Sequence, residues 1–373
     1  MSPSDAIVVG GGVAGAAVAW GLVRRGLAVT VIDQGDDAFR ASRANFGLVW
    51  VQGKGLGRPE YTHWTRQSSE LWAEFAAELA DLTGIDCAHE RPGGVTVALS
   101  EAELEEHSQN LEQVRLGLGN QPYEFEVMDR DRLGKLLPGL GPKVVGGVYC
   151  PYDGAANSLL LLRALHAGLK AKGGRYVSGQ TVTGIEPLAG GGYAVTGEAG
   201  TRFEAGKVVI AAGLGNKALG ALVGLDVPVR PVHGQVIVTE RAEPLLETLT
   251  LSVRQNAEGT FMMGYSAAEI GFDTRTEPET TRDIAWRNSQ IFPFLAKLRI
   301  VRTWAGLRVM TPDGFPIYEE SDSHRGVFVA TGHSGVTTAA AHSHLLAGYI
   351  AEGALPEELR ALSTERFHVP ASG

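Results

Sequence analysis

One segment near the start of the chain, "IVVGGGVAGAAVAWGL" from Ile7 to Leu22, limits the fold more than any other. Ala6–Val9 is a short run rich in β-branched residues, the pattern of a strand buried on both faces in a parallel sheet. Gly10-x-Gly12-x-x-Gly15 follows, then a helical pattern to Arg25 with Gly26 as its stop signal. A second strand, Ala28–Ile32, ends in Asp33 and Gln34. The three glycines have separate tasks: a tight turn, close backbone approach by a ligand, and close helix–strand packing. With almost no polar side chain in the turn, the segment offers unpaired backbone N–H groups at the positive end of a helix. That is a diphosphate site. An acid about 20 residues further on suits ribose hydroxyls, and would repel a 2′-phosphate. The segment therefore predicts a Rossmann-like dinucleotide site.

Composition narrows the alternatives. The 373 residues suffice for two domains, and a net charge of −9 argues against a nucleic-acid partner. Cys87 and Cys150 lack metal or redox spacing and read as reduced, packed thiols. No Cys/His cluster suggests a metal, and His342 and His344 point to different faces of one helix. The serine in "GHSGV" lacks the glycine spacing of a nucleophile elbow. No signal peptide is recognisable, and no stretch approaches the roughly 20 apolar residues of a membrane span. The expectation is a soluble, cytoplasmic protein without a transmembrane segment. A second glycine segment, "VWVQGKGLGRPEY", is not a phosphate loop, because Gly55 follows Lys54 where Ser or Thr is required. Gly53–Gly57 reads as a structural or lid loop, the alternative being that Lys54 touches a substrate.

The glycine motif alone does not choose between NAD and FAD; distant segments do. "KVVIAAGLGN" is a strand rising into Ala211, Ala212 and Gly213, small residues over which a cofactor can pass. It is preceded by "TVTGIEPL", "GGYAVTGE" and "TRFEA", a three-stranded meander with a hairpin turn at Ala189–Tyr193. "GVFVATGHSGVTTAAAHSHLLAGYI" supplies another strand, a Gly332-x-x-Gly335 turn and a helix, more than 300 residues after the first such element.

These blocks in this order, with "ASRANFGLV", "PVHGQ" and "GLRVMTPDGFPI", resemble FAD-dependent amine oxidoreductases of the D-amino acid oxidase superfamily, such as glycine and sarcosine oxidases. "ASRANFGLVWVQGKGLG" is similar to the FAD-carrying subunits of opine oxidases and related hydrogen cyanide synthase and hydroxyproline dehydrogenase subunits. The resemblance implies an α/β composite: a Rossmann-like FAD-binding domain with a parallel sheet (1–82, 150–222 and 303–373) and a substrate domain on a mostly antiparallel sheet (83–149 and 223–302). "GGVTVALS", "VVGGVYC", "VPVRPVHGQVIVTE", "LTLSVRQN" and "GTFMMGYS" read as strands of that one sheet. It also implies that Gly10, Gly12, Val13, Ala14, Gly15, Asp33 and Gln34 hold the ADP half. Ser42, Arg43, Ala44, Asn45, Phe46 and Gly47 would line the diphosphate–ribityl side, and Val182 would face the adenine. Gly306 and Gly332, His333, Ser334, Gly335, Val336 and Thr337 would meet the flavin, with a helix N-terminus near Gly335 aimed at its pyrimidine edge. Gly306–Met310 contains no cysteine, so FAD is expected to be noncovalent. Val309 stands where the family often has Pro, and Asn157-Ser158 where Asp-Pro is common, which alters a helix cap.

Arg308 follows an apolar strand, and a buried guanidinium needs an anion. The resemblance makes it the grip on the substrate carboxylate; an internal salt bridge to Asp313 is the alternative. Tyr265 is either a second carboxylate ligand or a packed sheet tyrosine, and His233 either faces the flavin or is structural. The implied reaction moves a hydride from the α-carbon of a carboxylate-bearing amine to flavin N(5), giving an imine that water hydrolyses to a keto acid and an amine. Opines, D-amino acids, hydroxyproline isomers and glycine are the candidate substrates. The electrons pass to dioxygen or to a partner subunit. The rival readings are an NAD-dependent dehydrogenase and a non-catalytic flavoprotein subunit.

Overall fold

The computed structural model describes residues 4–35, 41–198 and 200–368. Five strands form a parallel core in the order Val327–Thr331, Arg202–Ile210, Ser4–Val9, Val29–Ile32 and Arg175–Val177. Ile317–Glu320 adds an antiparallel edge. Alternation assigns each core strand two jobs. Ala6, Val8, Val209, Phe328 and Ala330 face a core shared with the helices Val13–Arg24, Pro59–Thr83 and Ser158–Ala171. Ile7, Val9, Val208, Ile210, Val327 and Val329 face a second core under Val182, Ile185, Tyr193 and Val195. Burial on both faces is why these strands read as unbroken apolar runs. Asn157 caps the helix after it, its side chain accepting from the N–H groups of Leu159 and Leu160.

The meander forms as expected, but "TRFEA" and "KVVIA" are one strand, Arg202–Ile210. Its first part pairs antiparallel with Tyr193–Gly197, and most of its length runs parallel to Ser4–Val9. The second region departs further: it contains two four-stranded sheets rather than one. Val253–Gln255, Thr260–Met263, Arg230–Arg241 and Ile300–Met310 make an antiparallel sheet. Leu249–Thr250, Gly94–Ala98, Gly146–Cys150 and Glu126–Asp129 make the other, with one parallel pair. "LTLSVRQN" is divided between them. The Thr250 hydroxyl accepts from Val253 N–H and donates to Val253 C=O, a local turn that breaks the run. The two sheets share a core built from Val95, Val97, Met128, Ile237, Val253, Phe261 and Met263.

The C-terminal helix also starts later than expected. An irregular turn covers 335–338, the regular helix begins at Ala339, and His342–Leu346 forms a π-turn within it.

Candidate active site

A cavity of about 830 Å³ runs between the parallel sheet and the strands Arg230–Arg241 and Ile300–Met310. The N-terminal glycine turn and the Gly332–Thr337 loop line this single space, although they are far apart in sequence. At the nucleotide end Gly10 has φ +108°, and a Cβ there would sit 2.7 Å from the carbonyl carbon of Ala211, so only glycine fits. Val13 donates its N–H to Ser42 Oγ (2.8 Å), and the first intrahelical bond is Ala16 N–H to Gly12 C=O, so Ala14 and Gly15 begin the turn with their N–H groups outside the helical ladder. Gly15 itself packs against Gly10 and does not line the cavity. Asp33 does line it, accepting from Gly11 N–H (2.6 Å) and Gly35 N–H (2.7 Å), beside Gln34. Val182, Ala211, Ala212 and Gly213 complete this end, and the buried side chain of Asn216 receives Ala212 N–H.

Residues 41–47 brace themselves. Asn45 donates to Ser42 C=O (2.9 Å) and accepts from Gly47 N–H (2.8 Å). Ser42, Ala44, Asn45, Phe46 and Gly47 line the cavity, whereas Arg43 is exposed and is not part of the lining. At the far end Gly332, His333, Ser334, Gly335, Val336 and Thr337 are all lining residues. Helix Pro59–Thr83 fixes this loop: Ser68 Oγ and Trp72 Nε1 donate to Thr337 C=O at 2.6 and 3.2 Å. Trp50 N–H donates to Thr337 Oγ1 at 3.0 Å. Ser334 is held at φ +66° and Tyr265 at φ +82°, unusual values for residues with a side chain. Both line the cavity, where stored backbone strain commonly marks function.

The Arg308 end of the cavity follows from strand alternation. Val232 pairs with Arg308 and Gly234 with Gly306, so these four share one face, which lines the cavity. His233 lies on the other face. Its Nε2 contacts Arg275 C=O (2.9 Å), its ring is buried outside the lining, and its carbonyl accepts from Arg308 Nη1 (3.2 Å). Of the two readings of His233, the ring's place excludes facing the cavity and fits the structural one; the residue bears on the site through its backbone. Gly234 leaves space for the guanidinium, since a Cβ there would come within 2.6 Å of Arg308 Cζ and Nη2. Gly306 does the same for Ala44. Arg308 has no carboxylate within ion-pair distance among the described residues, and Asp313 is taken by Arg366 at 2.8 Å. Burial lowers the basicity of Arg308, and Tyr265 opposes that shift, so the phenol lies within electrostatic reach.

Lys54, the alternative reading of the Gly53–Gly57 loop, lines the cavity, as do Trp50, Gln180 and Ser266, which no motif marks. The Lys54 Nζ donates to Ser334 Oγ at 2.7 Å, bridging the Gly53–Gly57 turn to the C-terminal loop. Burial lowers its pKa to about 8; Asp153 opposes that shift and Arg308 adds to it. Burial, then Lys54 and Arg308, hold His333 well below the usual imidazole range, so it is neutral near pH 7. The signal was present in sequence as a lysine among glycines, but nothing local said which way it points.

The family model described as FAD dependent oxidoreductase (DAO) matches residues 5–349. The chain belongs to that family. It is an FAD-dependent amine oxidoreductase that oxidises an amino acid or an N-substituted amino acid. It is 43% identical to the B subunit of opine oxidase from Agrobacterium tumefaciens over 368 residues, 99% of each chain. Glycine oxidase of Geobacillus kaustophilus is 28% identical over 335 residues, 88% of this chain and 87% of that one. The crystal structure of the latter enzyme superposes with a TM-score of 0.89 at 26% identity, covering 97% of this chain and 98% of that one. L-proline dehydrogenase from P. horikoshii shares the fold, with a TM-score of 0.84 over 98% of each chain at 21% identity. The cavity fits FAD on its own evidence: a glycine cradle that a Cβ would fill at Gly10, a carboxylate at Asp33, and one continuous groove to the C-terminal loop. Neither Cys87 nor Cys150 lines it, so no cysteine is placed to bond the flavin. No helix among the described residues is long and apolar enough to cross a membrane.

Proposed function

We propose that this flavoenzyme acts on opine-like substrates, amino acids whose nitrogen carries a second carboxylic acid. The observation that carries the reading is Arg308, a guanidinium lining the cavity with no carboxylate within ion-pair distance among the described residues. A planar guanidinium binds a carboxylate through two parallel hydrogen bonds, which fixes direction as well as position. Bound FAD supplies acceptance of the substrate's α-hydrogen as hydride, after which water hydrolyses the resulting substrate imine to a keto acid and an amine. The chain's own part is positioning. Arg308 sets the carboxylate, Gly234 and Gly306 keep the strand face low, and neutral His333 adds no further charge. Tyr265 is the second carboxylate ligand in this reading, supported by its place in the lining and its influence on Arg308.

Electrons leave to a partner subunit rather than directly to dioxygen, a reading supported by the Agrobacterium relative, which is one subunit of an opine oxidase. The cofactor residues carried over from the resemblance keep their assignments, with Gly15 acting through packing and Arg43 left outside. We keep the division into an FAD domain and a substrate domain, with the boundary drawn at 303 moved past Met310, because Ile300–Met310 is one strand of the antiparallel sheet. Two buried free thiols support a cytoplasmic location.

Arg308→Ala should lower kcat/KM by about a hundredfold, the loss of a charge-assisted bidentate contact, while FAD content stays constant. The assay is anaerobic flavin bleaching across opines, D-amino acids and N-alkyl glycines. Normal turnover in the variant would remove the assigned role.

A further inference from the structure

We propose that Lys54 binds the second carboxylate of the substrate, opposite the carboxylate held by Arg308, and so selects dicarboxylates over monocarboxylates. This deepens the opine reading and rests on it. The geometry is that of a built cation site. Lys54 lies on a turn whose backbone is pinned: Lys54 N–H donates to Val51 C=O (3.0 Å), Arg58 N–H to Gly55 C=O (2.7 Å), and Thr62 Oγ1 to Lys54 C=O (2.7 Å). Gly55 is required there, with φ +79° and a Cβ that would fall 2.5 Å from Thr62 N. The side chain reaches the cavity and meets Ser334 Oγ.

An ammonium has three donors, and a serine hydroxyl satisfies one of them. Among the described residues no carboxylate lies within ion-pair distance of Lys54. Asp153 acts on it from farther away, and its oxygens are already engaged by Val51 N–H (2.6 Å), Gln52 N–H (3.0 Å) and Gln52 Nε2 (3.3 Å). Burial also raises Asp153 to about 7, so it carries only part of a charge at neutral pH. Arg308 lowers the basicity of Lys54, and both cations lower that of His333, so the two charges act on the same imidazole in the cavity that all three line. Two cations held in one desolvated cavity repel each other unless anionic groups arrive. A monocarboxylate neutralises one of them. A substrate with an acid on each side of its nitrogen neutralises both, and its nitrogen then lies between them.

The test uses FAD-loaded protein and two ethers that carry oxygen in place of the reacting nitrogen, diglycolate (two carboxylates) and methoxyacetate (one). Binding is read as perturbation of the flavin absorption spectrum. Wild-type protein should prefer diglycolate by about tenfold or more, the value of a charge-assisted contact. Lys54→Met should lose about that factor for diglycolate and less than about twofold for methoxyacetate, while Lys54→Arg retains part of the preference. A Lys54→Met protein that still prefers diglycolate, or that weakens for both ligands equally, overturns the assignment while leaving the opine reading intact. A wild-type protein with no such preference, and not bleached by N-(1-carboxyethyl) amino acids, overturns both.

Discussion

The sharpest test of the carboxylate grip leaves Arg308 in place and moves it. Gly234 and Gly306 face each other across the strand pair, and the Arg308 guanidinium lies over Gly234. In Gly234→Ala the new Cβ would meet Nη1 most closely and stand 2.6 Å from both Cζ and Nη2. Carbon and nitrogen at ordinary contact are about 3.5 Å apart, so the head group must retreat by roughly 1 Å. The displaced atoms are the end of a flexible side chain, and Gly234 does not have the positive φ that disfavours alanine. Replacing glycine within a strand should therefore leave stability within about 1 kcal/mol of the parent. Catalysis is another matter, because a 1 Å error in substrate position can cost about a hundredfold in rate. The expectation is a Gly234→Ala protein with parental melting and full FAD content, yet with kcat/KM for flavin reduction reduced by about ten- to a hundredfold. Thermal unfolding, the flavin-to-protein absorbance ratio and anaerobic stopped-flow reduction measure these three properties. Parental reduction kinetics would show that the guanidinium in this position does not set the substrate, and the positioning argument would fall.

Other consequences follow from the same contacts. Lys54 is charged below about 8, so diglycolate affinity should fall as pH rises through that value, with a bound anion moving the transition upward. The groups facing it are Arg308, which stays protonated, His333, which is neutral, and Asp153, which ionises near 7. The Lys54→Met titration should be flat above 8; a transition of wild-type size would point to another group. Asp313 pairs with Arg366, a largely buried guanidinium, and its oxygen also accepts from Phe315 N–H (3.1 Å). Asp313→Ala should thus lower the melting temperature by about 1 to 2 °C, about 1 kcal/mol, with substrate KM unchanged. A raised KM would return Asp313 to the role of partner for Arg308.

The dinucleotide half was legible because its signals are local. Strand, glycine turn, helix and acid follow one another between Ser4 and Asp33, and each element's pattern dictates its conformation before any distant contact forms. Arg308 stands out for a related reason: a guanidinium in an apolar strand raises the question of its anion, and in the fold it lines the cavity with no carboxylate within ion-pair distance among the described residues. What failed were questions of facing and partnership. His233 and Gly234 are neighbours in sequence, and only the register against Ile300–Met310 places the glycine toward the cavity and the imidazole away. "LTLSVRQN" reads as one strand, because a side-chain turn at Thr250 leaves no mark on hydrophobic period.

Lys54 shows the division most clearly. Sequence alone determined a loop of alternating glycines carrying one cation. Its direction depended on contacts with Ser334 and Thr62, of which the first lies 280 positions away. Local conformational preference is written in neighbouring residues, so the chain specifies its turns, helices and strand faces by itself. The convergence of Lys54, Arg308 and the C-terminal loop on one cavity arises only when the sheets pack, because the desolvation that gives those charges their meaning is a property of the folded interior.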